Sequence, residues 1–493
     1  MNRVDYAHEF VSHLCDSIEA FVKRNNESGF FYRGLNLYHA VEIALYSSLS
    51  ENKNLFSIFE KWNNGSLKNP EPVENAIEKK IASILCSLEE NKFEVIRKEN
   101  AIKRVIKLFI RFALRFLGIR AFVYLVRKIL NKRLQKGISA DVLFYVPNDR
   151  FVKYAKPIFD SIKAKVFYIS HEKKAVDYCK KENIPCVNLS YFGSRILHLS
   201  NKKNLLDKFF ITDKVDLVFD SIKRLHPKSI VVVEGNGAHD EIANQIAKSL
   251  NIKSVCVQQG WSPIVHNGFR NMSYSKMLVW GEGFAELLQP YNPKQKFIVT
   301  GSHILELNKE EKNIEKVKSI AFFAQGISRI LNEKAWRDHV KLAVWTAKTY
   351  PDTKVIFREH PLYKILEEDR KKIEQYENVV FMNSDKYKLD EVMAASQVSV
   401  SIYSSTILES VAAGVLPIIF NVTSFPNFFP DIAKEGAGIE VKSFEAAQET
   451  ISKLLNNPEI INGFRKPMMD FQNKYFAFNK ETALQNIIKE IMQ

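Results

Sequence analysis

Short apolar runs alternate with longer amphipathic stretches from residue 141 onward. This alternation predicts βαβ units that form parallel sheets. The predicted strands form two series: Val142–Val146, Lys165–Ile169, Ser229–Gly235, Ser254–Gly260, Lys276–Gly281 and Lys296–Gly301, then Ser319–Gly326, Thr353–Pro361, Asn378–Asn383, Val398–Ser405 and Leu416–Asn421. The predicted helices include His239–Leu250, Glu333–Thr349, Leu389–Ala395 and Ser405–Ala413.

The N-terminal third has a different pattern. Apolar residues recur at helical spacing up to about residue 100, with few strand signals. The sequence therefore predicts an α/β protein with two consecutive Rossmann-like domains behind a helical N-terminal extension. The predicted regions are a helical region 1–100, a basic amphipathic helical segment 101–137, a first Rossmann-like domain 138–306, and a second Rossmann-like domain with a C-terminal helix, 307–493.

Composition narrows the class of protein. With 46% hydrophobic and 26% charged residues, a mostly disordered chain is excluded. The 5 cysteines are scattered without a C-x-x-C pair, which argues against a disulfide framework or a cysteine zinc site. The first ten residues contain no apolar signal core, and no uncharged stretch is long enough to predict a spanning helix. We therefore expect a cytoplasmic protein.

Most of the net charge of +15 comes from one segment. No Asp or Glu occurs between Asn100 and Ala140, and the aromatic-rich stretch 102–134 has the composition of a helix lying in a membrane interface. A buried helix whose arginines pair with acids elsewhere is the main alternative, and nucleic-acid binding is less favoured. We expect peripheral binding at the inner face of the cytoplasmic membrane, with an anionic lipid surface and not nucleic acid as partner. The segment's basic residues are Lys103, Arg104, Lys107, Arg111, Arg115, Arg120, Arg127, Lys128, Lys132, Arg133 and Lys136.

Candidate binding residues follow two predicted strands of the second domain, where parallel sheets bind ligands. Gln325 and Gly326 follow the first strand, and small residues there let backbone N–H groups approach a phosphate. Arg358, His360 and Pro361 follow the second strand, and the proline restricts the backbone of the histidine. A cation and an imidazole at a strand end suit a nucleotide, although a plain turn would have a similar sequence.

A third predicted strand is followed by the hydroxyl-rich turn Ser404, Ser405 and Thr406. Three hydroxyls at a strand-to-helix junction can cap the helix and bind a phosphate. Glu409 lies one helical turn later, where its carboxylate can reach a ribose diol. We expect Gly414 to end this helix.

The first domain supplies candidate catalytic and acceptor-binding residues. Glu234 follows a strand and precedes Gly235, which favours a tight turn and makes the carboxylate a candidate general base. Asp240 is a second candidate carboxylate, although it also suits the first turn of a helix. Gln259, Gly260 and Trp261 follow the next strand and are expected to face the cleft.

Three short motifs between residues 141 and 465 resemble bacterial GT-B glycosyltransferases of surface-polysaccharide (capsule and lipopolysaccharide) assembly. The resemblance is to CMP-sugar sialyl- and Kdo-transferases and to CDP-glycerol glycerophosphotransferases. It rests on Glu234-Gly235 as the acidic motif, His360-Pro361 as the nucleotide motif and Ser404-Ser405 as the phosphate motif. The sialyltransferases carry a further acid where this sequence has Val233.

The resemblance implies a GT-B-like fold and a glycosyltransferase that uses a nucleotide-sugar donor as substrate, with no cofactor. A CMP-linked Kdo or sialic acid is the favoured donor, and a lipid-linked or surface-polysaccharide glycan the expected acceptor. No metal is expected, since the sequence has no Asp-x-Asp element and no clustered ligands. The alternatives are a UDP-sugar or CDP-glycerol transferase, a nucleotide-sugar 2-epimerase that would use His239, Asp240 and Glu241, or a non-enzymatic membrane scaffold.

Overall fold

The computed structural model describes most of the chain from residue 139 and part of the region before it. The predicted basic segment 101–137 lies outside the described residues apart from Ile129, which is helical and exposed. The described residues are 11–23 except 13, 17 and 21, then 31–50, 129, 139–189, 212–261, 265–308, 314–325, 331–361, 363–402, 404–422 and 430–493.

The first domain is built on a parallel sheet of seven strands in the order β5-β4-β3-β6-β7-β8-β9. Its central strands are buried along their whole length, because helices cover both faces of the sheet. Renumbered within the domain, the order is 3-2-1-4-5-6-7, a Rossmann order with one added strand. The strands are β3 Val142–Tyr145, β4 Val166–Ser170, β5 Cys186–Asn188, β6 Ser229–Val233, β7 Lys253–Val257, β8 Lys276–Val279 and β9 Phe297–Val299.

The second domain repeats this plan in a parallel sheet of six strands, in the order β12-β11-β10-β13-β14-β15. This order is 3-2-1-4-5-6 within the domain, so the strand order reverses between β10 and β13. The corresponding reversal in the first domain lies between β3 and β6. The strands are β10 Ser319–Phe323, β11 Lys354–Arg358, β12 Val379–Met382, β13 Val398–Ser401, β14 Leu416–Phe420 and β15 Ile439–Val441.

Helices lie between most successive strands and at both ends of the described chain. Several begin with an Asn or Ser cap, such as Asn148, whose side chain accepts from the Phe151 N–H at 2.9 Å. The helices are α1 Tyr38–Ser50, α2 Asp149–Ser161, α3 Lys173–Lys181, α4 Thr212–Leu225, α5 Ala238–Ser249, α6 Glu282–Leu288, α7 Glu333–Thr349, α8 Glu367–Glu374, α9 Leu389–Ala394, α10 Thr406–Ala412, α11 Phe444–Asn456, α12 Glu459–Tyr475 and α13 Lys480–Met492.

The predicted α/β fold is confirmed: two consecutive Rossmann-like domains follow an N-terminal extension. All eleven predicted strands are present, and the helix predicted at Glu333–Thr349 has those bounds. The prediction missed the strands β5 and β15. Each has three residues, too few for a periodic pattern to show.

The described part of the N-terminal extension packs against the first domain. Residues 11–23 are helical where described, and α1 packs on α5. The purely helical prediction was wrong for one short piece, a hairpin of β1 Phe31–Tyr32 and β2 Leu35–Asn36. Its two turn residues, Arg33 and Gly34, have φ of 52° and 80°, the backbone of a tight two-residue hairpin loop. Arg33 also pairs with Asp216 on α4 at 2.8 Å, which ties the hairpin to the domain.

The last helix returns to the first domain. Its residues Ile487 and Ile491 are buried in the same cluster as Val142 and Val231 of the first sheet. Where this helix meets the first sheet, Lys276 Nζ also donates a hydrogen bond to Glu490 at 2.8 Å. The predicted boundary placed residues 307–493 together, whereas the packing assigns α13 to the first sheet. The chain therefore crosses between the domains twice, once at the linker near residue 308 and once between α12 and α13.

Candidate functional site

Arg358 and Glu409 lie at the carboxyl edge of the second sheet, on either side of the end of β10. Arg358 is the last residue of β11, and its backbone oxygen accepts from the Ala324 N–H at 2.9 Å. Glu409 lies one turn into α10, which follows β13. Arg358 Nε and Glu409 Oε2 are both buried without a hydrogen-bond partner in the described part of the chain. Two polar atoms of opposite character are thus left for a ligand at this edge.

The charge state of this pair depends on burial. Burial raises the pKa of Glu409 to about 7, and the Arg358 guanidinium opposes that shift. Burial lowers the pKa of Arg358, and Glu409 opposes it in turn. No ion pair or hydrogen bond joins the two within the ranges described above. The carboxyl group is therefore about half protonated near neutral pH.

The hydroxyl-rich turn lies at the N-terminal end of α10. Ser404 Oγ accepts from the Thr406 N–H at 3.3 Å, and Thr406 Oγ1 shares a 3.1 Å hydrogen bond with Ser401 Oγ. Ser405 is exposed and makes no side-chain cap bond to the helix. α10 ends before Gly414, whose φ is 73°, in agreement with the prediction. Ser405 therefore offers an uncommitted hydroxyl beside two hydroxyls that hold the turn together.

The loop after β11 carries His360 and is held by its neighbour Glu359. Glu359 is 4% exposed; its carboxylate accepts from the Ile365 N–H at 3.1 Å and from Lys364 Nζ at 3.1 Å. The His360 ring lies 5.1 Å from the exposed ring of Tyr363. Burial, and then the Arg358 charge, lower the pKa of His360, which favours the neutral form of its ring. Glu359 thereby fixes the loop that presents this imidazole.

Two further predicted donor-binding residues follow β10, and one follows His360. Gln325 follows the buried Ala324 at the carboxyl end of β10 and is half-buried. Gly326 lies outside the described residues. Pro361 is exposed at the start of the loop. Gln325 is thus on the same sheet edge as Arg358 and the turn at Ser404.

In the first domain, Glu234 follows β6 at the reversal of strand order. Glu234 and Gly235 both have a φ of 69°. These two positive angles turn the chain sharply from β6 into α5. A Cβ at Gly235 would lie 2.4 Å from Cys256 Sγ, so only glycine fits. Burial raises the pKa of Glu234, and the Arg150 charge opposes that rise. The result is a carboxyl group at a strand end with a raised affinity for a proton, as a general base requires.

Asp240 lies in the first turn of α5, the helix position for which the sequence also made it suitable. One carboxylate oxygen accepts from the Gly237 N–H at 3.1 Å, while Oδ1 is buried without a partner in the described residues. Burial raises the pKa of Asp240 well above its usual range, and Glu234 and Glu241 add to the rise. The side chain is thus a helix cap, and its catalytic assignment stays a prediction.

The segment after β7 lies beside Glu234. A Cβ at Gly260 would be 4.0 Å from Glu234 Oε1, and Gln259 Oε1 accepts from Arg150 Nη2 at 2.9 Å. The Trp261 ring packs against Phe284, with 5.0 Å between the ring centroids. Gln259 and Gly260 are therefore close to the candidate base. Trp261 packs against the core, and its buried Nε1–H has no hydrogen-bond partner among the described residues.

Sequence reasoning missed three residues at the carboxyl edge of the first sheet. Tyr145 ends β3 and shares a 3.2 Å hydrogen bond with His171, which follows β4. The His171 ring lies 4.5 Å from that of His239 on α5. Arg150 follows β3 at the start of α2. Tyr145, His171 and Arg150 each end or follow a strand, so examining the ends of β3 and β4 would have found them.

The described residues contain no group of three His, Cys, Asp or Glu side chains that is arranged to hold a metal ion. Likewise, none of the helices in the described ranges is both long and apolar enough to cross a bilayer.

Comparison with known proteins finds likeness in structure only. No protein-family model and no curated protein matches the sequence. One similar solved structure is the UDP-GlcNAc 2-epimerase of Neisseria meningitidis bound to UDP-GlcNAc. The match covers 71% of this chain and 98% of the epimerase, with 14% sequence identity and a TM-score of 0.49. Another is MurG of Acinetobacter baumannii. That match covers 71% of this chain and 99% of MurG, with 11% sequence identity and a TM-score of 0.47.

Proposed function

We propose that the protein is a glycosyltransferase that takes its sugar from a nucleotide-sugar bound at the carboxyl edge of the second sheet. The observation that carries this proposal is the pair of buried, unpartnered atoms Arg358 Nε and Glu409 Oε2. A buried polar group without a partner is costly, so a ligand that supplies the missing hydrogen bonds is favoured. A ribose diol can donate to Glu409, and a base or phosphate oxygen can accept from Arg358.

The remaining donor contacts are assigned around this pair. Ser404, Ser405 and Thr406 would hold the phosphate through their hydroxyls. His360, with Pro361 fixing its backbone, would lie against the base, and Gln325 and Gly326 would complete the edge after β10. Fixed dipoles of this kind stabilise the negative charge that develops on the departing nucleotide.

Glu234 is the proposed general base. Its carboxylate would take the proton of the acceptor hydroxyl as that oxygen bonds to the anomeric carbon of the sugar. The bond from the anomeric carbon to the donor phosphate breaks, and its electron pair leaves with the nucleotide. Asp240 is a second candidate in this proton transfer, although its bond to Gly237 commits one of its oxygens.

A CMP-linked Kdo or sialic acid is the favoured donor, on the strength of the His360-Pro361 and Ser404-Ser405 motifs. A UDP-sugar or CDP-glycerol would use the same contacts. The proposed acceptor is a lipid-linked or surface-polysaccharide glycan, since segment 102–134 has the composition of a membrane-interface helix. The protein would then act at the inner face of the cytoplasmic membrane.

A nucleotide-sugar 2-epimerase is the second candidate. The observation that favours it is the cluster of Tyr145, His171 and His239 close to Asp240 at the edge of the first sheet. An epimerase needs acids and bases around the sugar and no acceptor. Product analysis with a nucleotide-sugar and no added acceptor separates the two, because only an epimerase would convert the sugar.

The first test is a thermal-shift panel with CMP, CDP, UMP, UDP, GDP and ADP. A ligand that binds only the folded state at 100 times its Kd adds roughly 2.7 kcal/mol of stability. A shift with CMP alone supports the sialic-acid or Kdo donor, and a shift with UDP moves the donor to a UDP-sugar. His360→Ala and Ser404→Ala should each weaken the shift while the unliganded midpoint stays unchanged. No shift with any nucleotide would overturn the proposal in favour of a non-enzymatic scaffold.

A further inference from the structure

Arg150 is a cation of the first domain whose hydrogen-bonding capacity is largely unused. It is the second residue of α2, directly after β3, at the carboxyl edge of the first sheet. Its side chain is exposed, and Nη2 donates to the neutral amide oxygen of Gln259 at 2.9 Å. No carboxylate of the described residues lies within ion-pair distance of it, so most of its five N–H groups are available.

The position of Arg150 relates it to both halves of the site. Gln259, which it contacts, is next to Gly260, and a Cβ there would be 4.0 Å from Glu234 Oε1. The Arg150 charge also acts on Glu409 of the second domain, where it opposes the rise in pKa caused by burial. One guanidinium thus lies within electrostatic reach of the candidate base in one domain and the candidate ribose ligand in the other.

The charges around Arg150 favour an anion. The groups that act on Glu409 are Arg358, Asp390 and Arg150, and Glu409 itself is about half protonated near pH 7. Burial also raises the pKa of Glu234. Arg358 and Arg150 bring two positive charges to this cleft, and the raised pKa of Glu409 reduces the negative charge that opposes them. A guanidinium fork binds phosphate or carboxylate oxygens in pairs.

We propose that Arg150 binds an anionic group of the nucleotide-sugar from the side of the first domain, so that the bound donor contacts both domains. The anion is either a phosphate of the nucleotide or the carboxylate of the transferred sugar acid. This inference rests on the proposed function and adds to it a residue that none of the sequence motifs contains.

Isothermal titration calorimetry on the full chain tests it. The probes are CMP, UDP, their nucleosides cytidine and uridine, and CMP-sialic acid. The variants are Arg150→Gln and Arg150→Lys, and Lys153→Gln is the matched control. Lys153 lies one turn along the same helix, with a side chain 55% exposed, and its loss removes the same charge. Far-UV circular dichroism and the unliganded thermal midpoint show whether each variant folds.

If Arg150 binds a phosphate, Arg150→Gln should lose roughly 10- to 100-fold in affinity for CMP or UDP and nothing for the nucleosides. If it binds the sugar carboxylate, only CMP-sialic acid should bind more weakly. Arg150→Lys should retain part of the affinity in either case, since it keeps the charge without the fork.

Wild-type affinity of Arg150→Gln for every probe would overturn the inference, as would an equal loss for nucleosides or an equal loss in Lys153→Gln. In each of these cases the wild-type protein still binds nucleotide, so the proposed function stands. If the wild-type protein binds none of the probes, the proposed function fails and the inference fails with it.

Discussion

Gln472 Nε2 donates to the backbone oxygen of Val411 at 2.7 Å, across 61 residues of chain. The same amide donates to the oxygens of Ala412 at 3.2 Å and Asn308 at 3.1 Å, and Gln472 is 1% exposed. One side chain of α12 thus satisfies the last carbonyls of α10 and the linker between the domains. The helix that carries Glu409 is therefore held in place by the C-terminal part of the chain.

Replacing Gln472 by Leu should destabilise the protein. The substitution removes the Gln472 amide donor shared by the carbonyls of Val411, Ala412 and Asn308, at a cost of about 0.5–1.5 kcal/mol. The Val411 and Ala412 oxygens keep the backbone N–H donors of Gly414 and Asn308, which limits the loss. Urea unfolding measures the loss. Gln375→Leu is the matched control, because Gln375 donates to the Lys372 oxygen at an exposed helix end. A loss for Gln472→Leu no greater than that of the control would contradict the role assigned to Gln472.

Glu409→Gln should change how stability depends on pH. Burial raises the pKa of Glu409 to about 7, so the folded state holds a proton that the unfolded state releases above about pH 4.5. The protonated Glu409 of the wild-type protein therefore contributes up to about 3 kcal/mol to the free energy of unfolding. This contribution is fully present below pH 4.5 and is lost as pH rises through 7. Unfolding free energies measured from pH 5 to 8 should fall less steeply in the variant.

The control for that experiment is Glu445→Gln, an exposed acid at the start of α11. It should keep the wild-type slope. Equal slopes for wild type and Glu409→Gln would show that Glu409 is ionised throughout this range, and the assignment of a half-protonated carboxyl would be wrong.

Glu359→Ala should weaken nucleotide binding by about tenfold, or about 1.4 kcal/mol. The substitution releases Lys364 and the Ile365 N–H, so the loop that presents His360 is no longer fixed before the ligand binds. The matched control is Asp385→Ala, which removes the other partner of Lys364, an aspartate whose side chain is 74% exposed. Titration of both variants with the nucleotide that binds wild type tests this; equal effects would show that the loop needs no support from Glu359.

Glu234→Gln should separate chemistry from binding. Loss of a general base lowers kcat by roughly 100- to 10,000-fold, while the nucleotide contacts in the second domain are untouched. Steady-state transfer rates and nucleotide Kd values, measured on the same preparation, give the comparison. A variant with normal kcat would exclude Glu234 as the base, and Asp240 would then be the carboxyl to substitute.

Replacing Lys107, Arg111 and Arg115 together by Glu should release the protein from anionic vesicles. Polybasic segments gain about 1 kcal/mol per residue at such a surface, so reversal of three charges is a large effect. Co-sedimentation with phosphatidylserine vesicles measures it. Lys348, Lys371 and Lys388, exposed residues of the second domain, provide a control triple with the same charge change. Unchanged sedimentation of the first variant would overturn the membrane assignment.

The candidate site was predictable to the extent that it lies at strand ends. Arg358 ends a strand, and His360, Ser404 and Glu409 follow strands. The apolar runs of these strands are plain in the sequence, and parallel strands end at one edge. Arg150 also follows a strand end, so its position was predictable, but its effect on Glu409, 259 positions away in the chain, was not. No local pattern relates two such residues.

Taken by itself, the sequence determined most of the secondary structure and the order of those elements, though not the short strands β5 and β15 or the hairpin of β1 and β2. Burial of one or both faces of a strand or helix leaves a repeat in the polarity of neighbouring residues, and that repeat is local. Tertiary structure alone decided which distant elements meet: that α13 packs on the first sheet, that Gln472 caps α10, and that the charge of Arg150 acts on both Glu234 and Glu409. Those contacts depend on how the two domains and the C-terminal helices pack, and packing joins residues whose separation along the chain carries no periodic signal.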